Sequence, residues 1–381
     1  MKFKISQDYF SKALLTSGKS LFSKANLPVL SNILIDASGN SIEVLSTNLE
    51  TATRVTIEAR VEKDGKITVP GKTFMEFVSQ LSDKDLTVEK LGEEIVVSNG
   101  DYSGRFATMA ASEFPAIPQI SDGFAIKVPK EEFEKCATRV VFCAAVDEGR
   151  PILTGVLCEF GSGALSMVAT DGYRLSFDSI ELAKSPGTKP TPPVKVVVPA
   201  RAISEVAKII SENGELKEDL VIQLSANTAQ IKFKLGKIEF SSRLIEGEFP
   251  NWQKIIPNNF TSKIKVSKGE FARVVKIASI FARDSGNIIR LNFEPNGKAG
   301  VLRVIANTNQ VGSSEGKINA EIEGKGGEIA FNFRYLADIL GVLEGEDVYF
   351  EMIESLNPGR ITEGEGSGKF FHIIMPVRLQ S

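Results

Sequence analysis

The chain of 381 residues carries 45 Lys and Arg against 48 Asp and Glu, a net charge of −3, with 42% hydrophobic and 24% charged residues. This is the balance of a globular protein of two or three domains with ample core material, and nothing global in it marks a nucleic-acid binder. No apolar run approaches the ~18 residues of a membrane span, MKFKISQDYF reads as no signal peptide, and an odd count of three cysteines argues against a disulfide framework. Buried, reduced Cys136, Cys143 and Cys158 in a cytoplasmic protein are expected.

In chain order, ISQDYFSKALL opens a helix around Phe10, and SIEVLSTN alternates as a strand. ITVPGKTFMEFVSQL then sets Phe74, Phe77, Val78 and Leu81 on one helical face. The pattern returns in VPKEEFEKCAT, with Phe133, Cys136, Ala137 and Val140, in ALSMVATD, and in VVVPARAISEVAKII, with Ile203, Val206, Ala207 and Ile210. It returns again in VSKGEFARVVK around Phe271, in VLRVIANT, and in IAFNFRYLADILGVL, with Leu336, Ile339, Leu340 and Leu343. The leading Phe residues are spaced by 123 and 138 positions, and SEFPAIP at 112–118 matches GEFPNWQKIIP at 247–257. Recurrence in one order predicts three tandem domains, 1–122, 123–260 and 261–381. Each pairs two amphipathic helices with antiparallel sheet, broken by Asn, Gly and Asp turns, so the fold class is α+β. GTKPTPP at 187–193 reads as a loop inside the second domain, and EGEGSGKFF as a Gly-rich turn before a last strand.

Positive charge recurs with the same period. A basic residue lies two after the leading Phe (Lys12, Lys135, Arg273) and two before the second helix's first anchor (Lys72, Arg201, Arg334). Two residues of helix turn the chain by about 160–200°, away from the core stripe. Arg139 joins Lys135, and Lys276 joins Arg273. A solvated helix face explains any one of these. Six equivalent cations in an acidic chain also suit a common surface that meets phosphates.

Motifs for chemistry are missing. The only histidine, His372, sits in the strand-like KFFHIIMPV, and no Cys/His cluster has metal-ligand spacing. Gly71-Lys72-Thr73 ends like a phosphate loop, but position 66 is Lys where that motif needs Gly. GEGSG at 364–368 opens no helix. No cofactor, metal or catalytic residue is expected.

VATDGYRLS at 168–176 holds an Asp-Gly hairpin turn followed by Tyr, Arg and Leu, residue types that suit a binding surface. With NLPVLSNILI (26–35), GEFPNWQKIIP, FNFRYLADIL (331–340) and the closing IIMPVRL (373–379), it makes the whole chain resemble the bacterial DNA sliding clamps, the beta subunits of replicative DNA polymerase. The resemblance implies a head-to-tail homodimeric ring of clamp domains, helices lining the hole and sheets outside. It implies a non-catalytic processivity factor that encircles duplex DNA without reading sequence. Twelve helices at ~10 Å spacing give a ring ~38 Å across and a free hole of ~28 Å. Cations facing the hole would be Lys12, Lys24, Lys72, Lys135, Arg139, Arg150, Arg201, Arg273, Lys276 and Arg334.

By the same resemblance, a pocket binds short peptides of the polymerase, the clamp loader and repair proteins. Carried over by position, it comprises Leu153, Thr170, Gly172, Tyr173, Arg174, Leu175, Pro250, Asn332, Tyr335, Leu356, Met375, Pro376, Val377 and Arg378. Leu175, Pro250 and Met375 are expected to form its floor. The chain departs from the family at Tyr173, where His is frequent, at Pro151, at Lys254 and in its last residues, Gln380 and Ser381. The alternative is a three-domain interaction scaffold that does not encircle DNA.

Overall fold

The computed structural model describes the chain except residues 23–26, 83, 101, 118–119, 121–122, 162, 183–192, 228, 258, 298, 309–311, 366–367 and 379–381. Lys24, most of GTKPTPP and the terminal Gln380 and Ser381 therefore lie outside the described residues.

The periodic segments fold as expected into helices α1 (Gln7–Ser17), α2 (Gly71–Gln80), α3 (Lys130–Val141), α4 (Ala200–Glu212), α5 (Lys268–Ala282) and α6 (Phe333–Val342). Each follows directly on a strand or one residue after it, and side chains cap the starts of α5 and α6. Ser267 Oγ accepts from the Glu270 N–H at α5, and Asn332 Oδ1 accepts from the Arg334 N–H at α6. The leading anchors Phe10, Phe74, Phe133, Ile203, Phe271 and Leu336 are all buried. In the first repeat, Phe10 meets Phe3 and Phe74 edge to face, with centroids 5.8 and 6.0 Å away. None of the described helices is long and apolar enough to cross a membrane.

The strands form antiparallel sheets of five, nine and twelve strands. The larger two arise because strands of successive repeats pair. Thr51–Glu58 of the first repeat pairs with Ile238–Arg243 of the second, with Ala52 opposite Ser241. Arg174–Glu181 of the second repeat pairs with Phe371–Ile374 of the third, with Leu175 opposite Ile373. These ladders also explain why the chain divides into two compact units rather than three. One holds Met1–Glu134 and Glu205–Leu244, and the other holds Lys135–Lys184, Pro190–Ser204 and Ile245–Ser381. The second repeat contributes strands to both.

Two edges repeat the pattern without a partner. Tyr102–Ala107, the counterpart of Ile238–Arg243 and Phe371–Ile374, pairs among the described residues only with Glu94–Asn99. Gly312–Gly324, the counterpart of Thr51–Glu58 and Arg174–Glu181, pairs with Ala299–Thr308, and on its other edge only Ala320–Gly324 pairs, with Ser262–Val266. Its edge over 312–319 is open among the described residues.

Candidate functional site

The turn that joins strands Ala164–Thr170 and Arg174–Glu181 is built by its own side chains. Asp171 Oδ1 accepts from the Tyr173 and Arg174 N–H groups at 2.9 and 3.0 Å. Thr170 Oγ1 accepts from the Gly172 N–H at 3.0 Å and donates to the Arg174 carbonyl at 2.6 Å. Gly172 has φ +92°, and a Cβ there would lie 3.1 Å from the Arg150 guanidinium. Arg150 in turn donates to the Asp171 carbonyl at 3.1 Å. The positive φ favours glycine here, and its missing Cβ leaves room for the guanidinium.

The end of the chain is laced onto this turn. Beyond the Phe371–Ile374 strand, the Met375 N–H donates to the Tyr173 carbonyl and the Val377 N–H to the Ala330 carbonyl, each at 2.8 Å. The chain end therefore bridges the turn and the strand Gly327–Asn332, beside the start of α6. Arg174 locks the same elements together. It donates to Asp171 at 3.0 Å, to Asp338 on α6 at 2.6 Å and to the Phe142 carbonyl at 2.9 Å. Its guanidinium lies 5.3 Å from the Phe142 ring and 4.6 Å from the Tyr335 ring. Partial burial raises the Tyr335 phenol above its ordinary pKa.

The surface so formed exposes Tyr173 (62%) and Met375 (37%), while Pro376, Val377, Asn332 and Tyr335 are half-buried. Two of the expected pocket residues lie in the core. Leu175 is wholly buried and Leu153 nearly so. Leu175 belongs to a core cluster with Leu157, Val168, Val197, Trp252, Phe371 and Ile373, so it supports the surface from beneath. Phe249 packs on that cluster, and the next residue, Pro250, is exposed. Leu356 and Arg378 are exposed, and no hydrogen bond or ion pair among the described residues ties either to the turn.

A polar group that the sequence did not point to lies under the turn. Ser176 Oγ is 2.7 Å from His372 Nδ1 and 3.2 Å from Cys143 Sγ, and all three residues are fully buried. The Phe142 ring stacks on the imidazole at 5.5 Å. Burial, with Arg174 nearby, pushes His372 down to about 3, and burial pushes Cys143 up to about 12. A neutral imidazole, a protonated thiol and no access to solvent make this a structural contact rather than a nucleophile.

The helix cations divide into two groups. Lys72, Arg201, Arg273, Lys276 and Arg334 are exposed, with no ion pair among the described residues. Lys12 pairs with Glu215, and Lys135 pairs with Glu344. Arg139, expected to face outward, is instead buried at 7% exposure. It pairs with Glu363, lies 3.5 Å from Asp178, and covers the Phe370 ring at 5.0 Å. Its helix flank meets the strand that carries Asp178 and the loop that carries Glu363, which helical periodicity alone does not reveal.

Known proteins share this fold. The DNA polymerase III beta subunit N-terminal, central and C-terminal domains match residues 1–118, 127–251 and 253–378. The chain is 27% identical to the beta sliding clamp of Staphylococcus aureus over a 389-position alignment that covers 99% of each. The crystal structure of the Bacillus subtilis DNA polymerase sliding clamp superposes with a TM-score of 0.91 at 26% identity, covering all of both chains. A Pseudomonas aeruginosa sliding clamp bound to griselimycin does so with the same score, identity and coverage. With its repeated two-helix units accounted for along nearly their whole length, the chain belongs to the DNA polymerase III beta subunits, the bacterial DNA sliding clamps, non-catalytic processivity subunits of the replication machinery.

Proposed function

We propose that two copies of this chain close head to tail into a ring around duplex DNA in the cytoplasm, and that the 170–175 turn with the chain end forms the pocket that tethers partner proteins. One observation carries the ring. The chain makes the same inter-repeat strand junction twice, Thr51–Glu58 with Ile238–Arg243 and Arg174–Glu181 with Phe371–Ile374. It also keeps both halves of a third, the open Tyr102–Ala107 strand and the open 312–319 edge. Unlike, complementary ends on one chain make a heterologous contact, and such contacts give rings when they close. The repeats that assemble this way have the boundaries 1–122, 123–260 and 261–381.

In that ring the free cations Lys72, Arg201, Arg273, Lys276 and Arg334 meet the DNA backbone, with Lys24 and Arg150 beside them. Lys12 and Lys135 contribute less, because each already has a carboxylate. Sparse cations on an acidic protein favour sliding, since few phosphates are held at once. The pocket accepts extended peptides of the polymerase, the clamp loader and repair proteins on the Tyr173–Met375–Tyr335 surface, framed by Pro250, Asn332, Leu356, Val377 and Arg378. Native mass spectrometry tests the assembly. A species of twice 41.4 kDa at micromolar concentration is the expected result. Monomer alone under those conditions contradicts the ring.

A further inference from the structure

The turn at 170–175 has a counterpart 123 positions earlier, at 47–52, and the two are built alike. Asn48 Oδ1 accepts from the Glu50 and Thr51 N–H groups, as Asp171 Oδ1 does from Tyr173 and Arg174. The Arg243 N–H donates to the Glu50 carbonyl at 2.9 Å, as Met375 does to Tyr173 at 2.8 Å. A small cluster of Val29, Leu34, Leu45 and Phe114, with Ile117 against it, stands where the second repeat has Ile152, Leu157, Val168, Phe249 and Trp252.

The two sites differ in bulk. Ala52 and Ser241 face each other in register where Leu175 and Ile373 do, and Ile117 stands in place of Trp252. Three large apolar side chains are thus replaced by smaller ones. The result is a cavity of about 260 Å³ lined by Leu49, Glu50, Ala52, Ile117, Ser241 and Arg243 among others. That lies just below the ~300 Å³ at which small-molecule pockets begin, so it holds one anchoring side chain rather than a cofactor.

Two features mark its mouth. Leu49 occupies the position of Gly172 with φ +74°, a conformation that glycine takes freely and leucine takes only under strain. The strained residue is an exposed apolar side chain at 49%. Strain kept at a turn that lines a cavity is the pattern of a ligand clamp. Arg243, exposed and without an ion pair among the described residues, replaces the apolar Met375.

We infer that this cavity is a second peptide-binding site, specific for an extended segment with a leucine-sized anchor next to an acidic residue. The anchor fills the space over Ala52, Ile117 and Ser241 under the Leu49 lip, and the carboxylate meets Arg243. The inference rests on the reading of the 170–175 surface as a peptide pocket, and the two are tested separately.

The probe is fluorescein-labelled Gly-Leu-Asp-Gly amide, titrated by anisotropy into the full-length protein. Filling the cavity with A52L/S241I should abolish binding, and R243E, a surface change that spares the fold, should weaken it about 10-fold. L49G should weaken binding while raising thermal stability; a Leu49 that is only structural would change stability alone. Deletion from Met375 onward should leave the probe's affinity intact. Unchanged affinity in A52L/S241I and R243E, or loss of the probe only in the Met375 deletion, overturns the second site. The first pocket is read with a Gln-x-x-Leu peptide on the same deletion. Unchanged affinity there overturns that pocket and leaves the arms for the second site standing.

Discussion

Replacing Asp178 with Asn asks which of two opposed effects governs a buried charge. The Asp178 side chain is 7% exposed, with Arg139 3.5 Å away. Burial raises its pKa from 3.8 to about 6, against the pull of the Ser179 N–H and of Arg139, and Glu363 adds to the rise. An acid whose folded pKa exceeds its unfolded value holds its proton more tightly when folded. Its charge therefore costs stability fully above pH 6, and the cost fades as pH falls towards 3.8. At 1.36 kcal/mol per pKa unit, the penalty is about 3 kcal/mol at neutral pH. Asn carries no charge at any pH, so the variant should be more stable than the parent at pH 8 and match it near pH 4. For a unit of this size, that difference is about 6–12 °C in melting temperature. The assay is differential scanning fluorimetry of both proteins from pH 4 to 8 in 0.3 M salt, about the concentration that screens surface pairs. A difference that stays constant with pH would refute the reasoning. An Asn variant less stable than the parent at pH 8 would show that Arg139 outweighs desolvation.

Reversing Lys72, Arg201, Arg273, Lys276 and Arg334 to Glu should leave the fold intact and reduce the salt dependence of DNA association by about one unit of slope for each phosphate no longer neutralised. Reversing Lys12 and Lys135 should do less, and a salt titration of the two variants compares them. Truncation from Met375 should cost a Gln-x-x-Leu peptide about 2 kcal/mol or more, a roughly 30-fold loss read by anisotropy, while the dimer persists in native mass spectra. Cys143 and Cys158, both buried with thiols pushed up to about 12, should not react with a thiol-specific dye at pH 8, whereas all three cysteines should react once the chain is unfolded.

The helices were legible because each buries one stripe, so apolar spacing alone located Phe74, Ile203 and Leu336. The repeats were legible because those stripes recur in one order. The flanks were less so. Arg139 follows the same arithmetic as the free cations, yet the flank of α3 meets Asp178 and Glu363, and no local pattern announces what packs there. Leu175 was legible both as part of the turn and as core, but alternation does not name its neighbours, and only the strand register sets it opposite Ile373. The pairing of Thr51–Glu58 with Ile238–Arg243 joins segments far apart in sequence, and alternation carries no partner. The cavity at 47–52 did leave a trace: Ala52 and Ser241 are small where their counterparts are large. Only the strand register shows that they oppose each other.

The central claim is topological, so the most direct measurement separates encirclement from affinity. The protein is assembled by a clamp loader with ATP on a nicked circular duplex, isolated by gel filtration, and re-examined after the circle is cut once. Retention on the circle and release after linearisation, at one salt concentration, are the predicted results. Equal retention on circular and linear DNA would show that contacts rather than a closed ring hold the protein, and would contradict the account.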